Sequence, residues 1–261
     1  MIRLIVTDLD GTLLDINREI SDQAVAAIRE VERQGVGFTF ITGRPWRGAR
    51  RFVQRAGIHL PVITCNGAAI HQGERVLWSA PMALGPLRSL LERAAALGLT
   101  VLFSKNGEES ALSETDWTQL RDYSVVTPDW TLQRADKVNL ISGDCRAEFQ
   151  SLKPLLDALQ NQYEIVCYED TGCEISGKGI NKAAALKRYA AMRNVSLDEV
   201  LAIGDNENDL QMLRLAGVGA AVANATPAAR EAADYICQKS RTEGVVEAVR
   251  KFCLGGSSSC C

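Results

Sequence analysis

The feature that most restricts how this chain can fold is a unit it repeats: a short apolar run, a polar tip, then a helical pattern. Leu4 to Val6 runs into Thr7-Asp8-Leu9-Asp10-Gly11, and Val36 to Ile41 runs into Thr42-Gly43-Arg44-Pro45. Val62 to Thr64 ends in Cys65-Asn66-Gly67, and Val200 to Ile203 in Gly204-Asp205-Asn206-Glu207-Asn208-Asp209. Runs of this length and β-branched content read as buried strands. Ser21-Asp22 opens a segment from Ala24 to Gln34 with Val25, Ile28 and Val31 at helical spacing, and Gly35 is placed to stop it. Further helices are expected over 46–56, 182–192, up to Leu215, over 227–232 and over 244–252, with a short apolar segment at 218–222. Strand and helix in alternation, with polar residues at each strand end, predict an α/β fold with a doubly wound parallel sheet. Ligands of such sheets bind beyond the carboxyl ends of the strands, so Asp8, Asp10, Thr42 and Asn66 should face one crevice.

Near residue 80 the rhythm changes. Pro81 to Leu97 reads as helix, Thr100 to Phe103 and Val138 to Ile141 as strands, Glu148 to Leu159 as helix, and Tyr163 to Cys167 and Cys173 to Ile175 as strands. A block of this size, with apolar elements of its own, is expected to be a separate small α+β domain. It ends at Ser176-Gly177-Lys178-Gly179, a plausible hinge, after which the first rhythm resumes. The division expected is therefore a core of residues 1–80 and 181–254, an inserted domain of residues 81–180, and a disordered tail, 255–261, of Gly, Ser and Cys.

A net charge of −3 offers no basic excess for nucleic acid. No apolar run reaches membrane-spanning length and the start lacks a signal-type core, so a cytoplasmic protein without membrane or nucleic-acid partners, monomer or homodimer, is expected. The eight cysteines include no CxxC pair and read as reduced core thiols, apart from the Cys260-Cys261 tail. His59 and His71, the only histidines, suit surface or loop positions and form no zinc pattern. Trp46, Trp117 and Trp130 are given no role beyond packing.

The chemistry begins at Asp8 and Asp10. Strand residues two apart share a face, and Gly11 breaks the strand, so both acids can be offered beyond its tip. Carboxylates that close repel one another and call for a cation. Mg²⁺ suits the site, because it takes oxygen ligands and combines one or two carboxylates with substrate phosphate. Taken alone, the same residues also describe an ordinary polar turn.

Four signatures in order carry a resemblance: Asp8-Leu-Asp10-Gly11-Thr12-Leu13-Leu14, Thr42-Gly43-Arg44-Pro45, Asn181-Lys182, and Gly204-Asp205-Asn206-Glu207-Asn208-Asp209-Leu210-Gln211-Met212. The chain from residue 2 to about 253 resembles the haloacid dehalogenase superfamily phosphatases. Within them it is similar to the Cof-type branch, with a Rossmann-like core and a C2B-type cap inserted between the second and third motifs. Ala183 departs from the glycine that commonly follows the motif lysine. The resemblance implies a Mg²⁺-dependent phosphatase of small phosphomonoesters, whether sugar phosphate, pyridoxal phosphate, or nucleotide or flavin monophosphate. Alternatives are a phosphomutase of the same fold and a non-catalytic phospholigand-binding regulatory protein.

By that resemblance Asp8 is the nucleophile, forming an aspartyl-phosphate, and a metal ligand. Asp10 is the general acid and base, with its backbone carbonyl on the metal. Asp205 completes the protein's metal shell and Asp209 supports it. Thr42, Gly43 and Lys182 hold phosphate oxygens, the first and last as catalytic residues, while Asn66, Asn208 and, more weakly, Arg44 contact phosphate or substrate.

Overall fold

The structure is a computed structural model that describes residues 1–112 and 133–255. Trp117, Trp130 and the tail beyond residue 255 lie outside the described residues. The chain divides into two compact units. The first comprises Met1–Gly43, Ala49–Gly67 and the chain from Lys182 onward, and the second Arg44–Gly48 and Ala68–Asn181.

The first unit is built on a parallel sheet. Strand β1 (Leu4–Thr7) is its centre, with β2 (Gly37–Phe40) on one side and β13 (Val200–Gly204) on the other. Beyond β13 lie β14 (Val218–Ala221) and β15 (Tyr235–Ile236). Next to β2, β3 (Val62–Thr64) is joined by a parallel bridge between Ile41 and Ile63. All four residues of β1 are buried, as a central strand covered on both faces requires. Helix α1 (Asp22–Arg33) packs on α9 (Arg241–Cys253), while α7 (Leu210–Leu215) packs on α6 (Lys182–Met192) and α8 (Pro227–Ala232). Local chemistry sets the helix ends. The Ser21 hydroxyl accepts the Ala24 N–H at 3.2 Å, and the Thr226 hydroxyl accepts from Ala229 at 3.3 Å with Pro227 in the first turn. α2 (Trp46–Ala56) connects β2 to β3 along the chain.

The second unit carries a five-stranded antiparallel sheet in the order β11-β12-β10-β7-β8, formed by Tyr163–Tyr168, Gly172–Gly177, Lys137–Ile141, Thr100–Lys105 and Glu108–Ala111. One face holds Val101, Phe103, Val138, Leu140, Cys173 and Ile175, covered by apolar residues of α3 (Arg88–Ala96), α4 (Arg146–Ser151) and α5 (Lys153–Leu159). The opposite pleat carries Ser104, Glu109, Lys137 and Glu174, with Lys137 Nζ donating to Glu174 at 2.6 Å. A hairpin of β4 (Ala69–Gln72) and β5 (Arg75–Ser79) and a short pair, β6 (Met82–Ala83) with β9 (Arg134–Ala135), complete it.

Four details differ from the sequence reading. Residues 68–80 fall in the second unit with their hairpin, so the division comes earlier than residue 80. Pro81 to Leu97 is not one helix: β6 comes first, then a 3₁₀ turn at Gly85–Leu87, and the helix starts at Arg88, because Pro86 is tolerated only in a first turn. Pro154 likewise divides the expected helix 148–159 into α4 and α5. His71 is only 1% exposed and lies flat against Trp46, with ring centroids 5.5 Å apart, whereas His59 is exposed as expected. No described helix is long and apolar enough to cross a membrane.

Candidate active site

The carboxyl ends of β1, β2, β3 and β13 are tied together by main-chain hydrogen bonds. Asp8 N–H donates to Ile203 O, Ile41 N–H to Thr7 O, Thr42 N–H to Ile63 O, and Asn66 N–H to Thr42 O, all at 2.8–2.9 Å. A chain that leaves a buried strand must satisfy these groups somewhere, and each tip does so on its neighbour.

Three carboxylates meet at the tips of β1 and β13: Asp8, Asp205 and Asp209 each offer an oxygen within 4.8 Å of the others. Lys182, the first residue of α6 and 1% exposed, bridges two of them, with Nζ 2.5 Å from Asp8 Oδ1 and 2.7 Å from Asp209 Oδ1. Asp209 is fully buried, and its other oxygen accepts the backbone N–H groups of Asp205 (3.0 Å) and Asn206 (3.1 Å). Both Asp209 oxygens are thus engaged. On Asp8 and Asp205, by contrast, Oδ2 accepts no hydrogen bond among the described residues, while Asp205 Oδ1 accepts from the Thr12 hydroxyl at 2.5 Å.

Glycines permit this closeness. Gly11 has φ +86°, and a Cβ there would stand 2.3 Å from Asp205 Oδ2. A Cβ on Gly204 would stand 2.6 Å from that of Asp209. The loop around Gly11 is closed by Leu14 N–H donating to Leu9 O, and the Asn224 side chain holds Gly11 O at 2.9 Å.

At the tip of β3, Cys65, Asn66 and Gly67 have φ of +52°, +53° and +105° in succession. Asn tolerates the left-handed region and Gly is indifferent to it, but Cys is not suited to it, so this turn holds strain of about 1–3 kcal/mol. It aims Asn66 at the β13 tip, where Asn66 Oδ1 accepts from Asn208 Nδ2 at 3.4 Å.

The acid cluster outnumbers its lysine. Burial, together with Asp209 and Asp205, pushes the Asp8 carboxyl well above its usual range despite Lys182. Burial and Asp209 raise Asp205 to about 6 against the pull of the Thr12 hydrogen bond and Lys182. Burial alone would depress the Lys182 ammonium, but Asp209 and Asp8 more than offset it and hold its pKa above the ordinary lysine range. Without a further cation the cluster therefore takes up protons. Hard oxygen donors, unsatisfied negative charge, and open Oδ2 atoms on Asp8 and Asp205 fit a small divalent metal ion.

Of the residues named from sequence, the structure brings Asp8, Asp205, Asp209 and Lys182 into one cluster and Thr42, Asn66 and Asn208 into an adjoining network. The Asp10 carboxylate is exposed and stands outside the acid trio. Thr42 is fully buried, Gly43 is half-buried, and Arg44 is buried but belongs to the second unit. Thr12 and Asn224, which fix Asp205 and the Gly11 loop, were given no role from sequence, although Thr12 stands inside the first quoted motif. A cleft of about 360 Å³ opens at the opposite, amino ends of β1 and β2, between Arg3, Gly37, His59 and Arg193, away from this chemistry.

Residues 5–249 match the family of haloacid dehalogenase-like hydrolases. The chain is 31% identical over 257 residues to a 5-amino-6-(5-phospho-D-ribitylamino)uracil phosphatase of Bacillus subtilis, covering 97% of this chain and 96% of that protein. It is 30% identical to a phosphoglycolate phosphatase of Methanothermobacter thermautotrophicus, covering 96% of this chain and 98% of that protein. Among solved structures, a haloacid dehalogenase-like hydrolase of Bacteroides thetaiotaomicron superposes with a TM-score of 0.82 at 26% identity, over 96% of this chain and 99% of that one. With the acid cluster at the strand tips and matches spanning nearly its whole length, the chain belongs to the haloacid dehalogenase-like hydrolases, as a phosphatase of the Cof type.

Proposed function

We propose that this phosphatase is Mg²⁺-dependent and hydrolyses small phosphomonoesters through an aspartyl-phosphate on Asp8. The observation that carries the reading is the cluster itself: Asp8 at the tip of the central strand, held by Lys182 and facing Asp205. Asp8 and Asp205 present their open oxygens, and the Asp10 backbone carbonyl is read as the third protein ligand. Asp209, with both oxygens engaged, is read as the buttress that fixes Lys182 and the 205–206 backbone. When bound, Mg²⁺ would supply charge neutralisation for the incoming phosphate dianion.

The remaining work falls to side chains. Asp8 attacks phosphorus in line, and the leaving alcohol takes a proton from Asp10, whose carboxylate then serves as base for the hydrolytic water. Lys182, the Thr42 hydroxyl and the Gly43 N–H hold phosphate oxygens, with Asn66 and Asn208 as neutral donors and Arg44 as a further substrate contact. The second unit is read as the cap, the source of discrimination between esters. The two named relatives are phosphatases of 5-amino-6-(5-phospho-D-ribitylamino)uracil and of phosphoglycolate, which supports the phosphomonoester class; sugar, pyridoxal, nucleotide and flavin phosphates are the candidates to test within it.

The test is a screen of purified protein against a panel of such esters, scored by phosphate release. Turnover should vanish in excess EDTA and return with Mg²⁺; undiminished activity in chelator would overturn the metal assignment.

A further inference from the structure

The hairpin of β11 and β12 holds two cysteines that phosphatase chemistry does not use. Cys167 and Cys173 are direct partners in its antiparallel register, between the pairs Val166 with Glu174 and Tyr168 with Gly172. Residues opposed in this way project from the same face, with Cα atoms about 4.5–5.5 Å apart, inside the span of about 4.4–6.8 Å that a disulfide bridges. Both thiols are free.

The two differ in access. β11 is the outermost strand of its sheet and Cys167 on it is exposed, whereas Cys173 is 2% exposed within the apolar cluster beneath the helices. Their acidities differ in the same sense. The neighbouring Cys173 thiol, with help from Lys153, brings the Cys167 thiol down to about 7 against partial burial and Asp157. Cys173 is pushed up by its Cys167 neighbour and by burial. Cys237 and Cys253, by comparison, are raised by burial to about 12 and about 11. One accessible sulfur is thus suited to attack, and its buried neighbour to resolve the product.

We propose that Cys167 and Cys173 form a redox-active dithiol that a small-molecule disulfide converts into a cross-strand disulfide. The Cys167 thiolate attacks one sulfur of the small disulfide. Its S–S bond breaks, one thiolate leaves, and Cys167 carries the other half as a mixed disulfide. With the Cys167 charge gone, Cys173 is freed of the neighbour that held its proton. It releases that proton to solvent and attacks Cys167 Sγ, and the second small thiolate departs. Two protein thiols lose two electrons and two protons, and one small disulfide becomes two small thiols. Excess thiol reverses both steps. The bond would fasten the outermost strand to β12 across the turn at residues 169–171.

The test uses the full-length protein equilibrated in glutathione buffers of graded GSSG:GSH ratio, quenched in acid, alkylated and cut by Glu-C. Cleavage after Glu169 separates the two cysteines, so a link between them joins two peptides. The expected result is a joined pair that grows with GSSG and is released by dithiothreitol. Cys173→Ala should instead stop at the first step and accumulate Cys167 glutathione adduct several-fold above wild type, while Cys167→Ser should show neither product in this hairpin. Alkylated, unlinked Cys167 and Cys173 throughout the series would overturn the proposal. So would an adduct on wild-type Cys167 as persistent as that in Cys173→Ala, or Cys167 joined to any other cysteine.

Discussion

Replacing Gly11 by alanine tests whether the site depends on the close approach of its first loop to Asp205. Two costs are separable. The left-handed backbone at φ +86° disfavours any Cβ, by about 1–2 kcal/mol. The new methyl would also stand 2.3 Å from Asp205 Oδ2, against ordinary contact near 3.4 Å, so the loop or the carboxylate must yield by roughly 1 Å. Yielding strains the Thr12 to Asp205 hydrogen bond, of a charged type that contributes about 1.5–3 kcal/mol. Gly35 supplies the control: its φ is +83°, and nothing lies within 4 Å of a Cβ there. Gly35→Ala should cost only the backbone part and leave turnover intact. Gly11→Ala should cost about 2–4 kcal/mol in all, seen as a lower urea midpoint. Its kcat should fall by about 10²-fold, the penalty expected of a 1 Å misplacement, with a raised Mg²⁺ requirement. If the two variants match in stability and both keep full activity, Asp205 is not seated against the loop as argued.

Asp10→Asn should separate the acid's role by leaving group. An alkyl phosphate should lose about 10²–10⁴-fold, while p-nitrophenyl phosphate should still give a burst of nitrophenol followed by slow release in rapid-quench kinetics; equal losses on both would remove Asp10 as acid and base. Lys182→Met should destabilise the metal-free protein by about 3–5 kcal/mol, because it leaves Asp8 and Asp209 buried without their cation. Urea titration reads this directly, and an unchanged midpoint would contradict the ion pairs. Glu109, 2% exposed, is raised by burial to about 7 from 4.5, against Lys137 and Ser104. A carboxyl whose folded pKa lies above its unfolded value binds its proton more tightly when folded, so its contribution falls as pH rises from 4.5 through 7. The loss should be up to about 3 kcal/mol and should flatten in Glu109→Gln; parallel pH profiles would refute it.

What the sequence disclosed was whatever depends on period and punctuation. β3, α2, α6 and α8 begin and end at the expected residues, because their apolar patterns are bounded by Gly, Pro or polar tips. Acids at the ends of β1 and β13 were likewise visible as motif residues. The hairpin at 69–79 was not, since Ile70 and His71 are buried in succession and leave no alternation to read. His71 looked like a surface residue for the same reason. The leucines and alanines of 81–97 suggested continuous helix, yet Pro86 decides where hydrogen bonding can start. That Asp209 has both oxygens engaged while Asp205 keeps one open is a matter of local geometry that no residue pattern encodes.

Strand β1 pairs Leu4 with Gly37 on one side and with Val200 on the other. Seen from the ribosome, these two pairings are events far apart in time. The first neighbour is available almost at once. The second emerges some 160 residues later, on the order of ten seconds or more at typical synthesis rates. In equilibrium terms the longer loop costs only about 1.6 kcal/mol more to close than the shorter. Kinetically, the nascent chain must carry an unpaired apolar strand edge through the making of the whole inserted unit, a window in which chaperone capture or misassociation competes. Asp8 is made some 170 residues before Lys182 and some 200 before Asp205 and Asp209, so the reactive centre can assemble only after the inserted unit has been made.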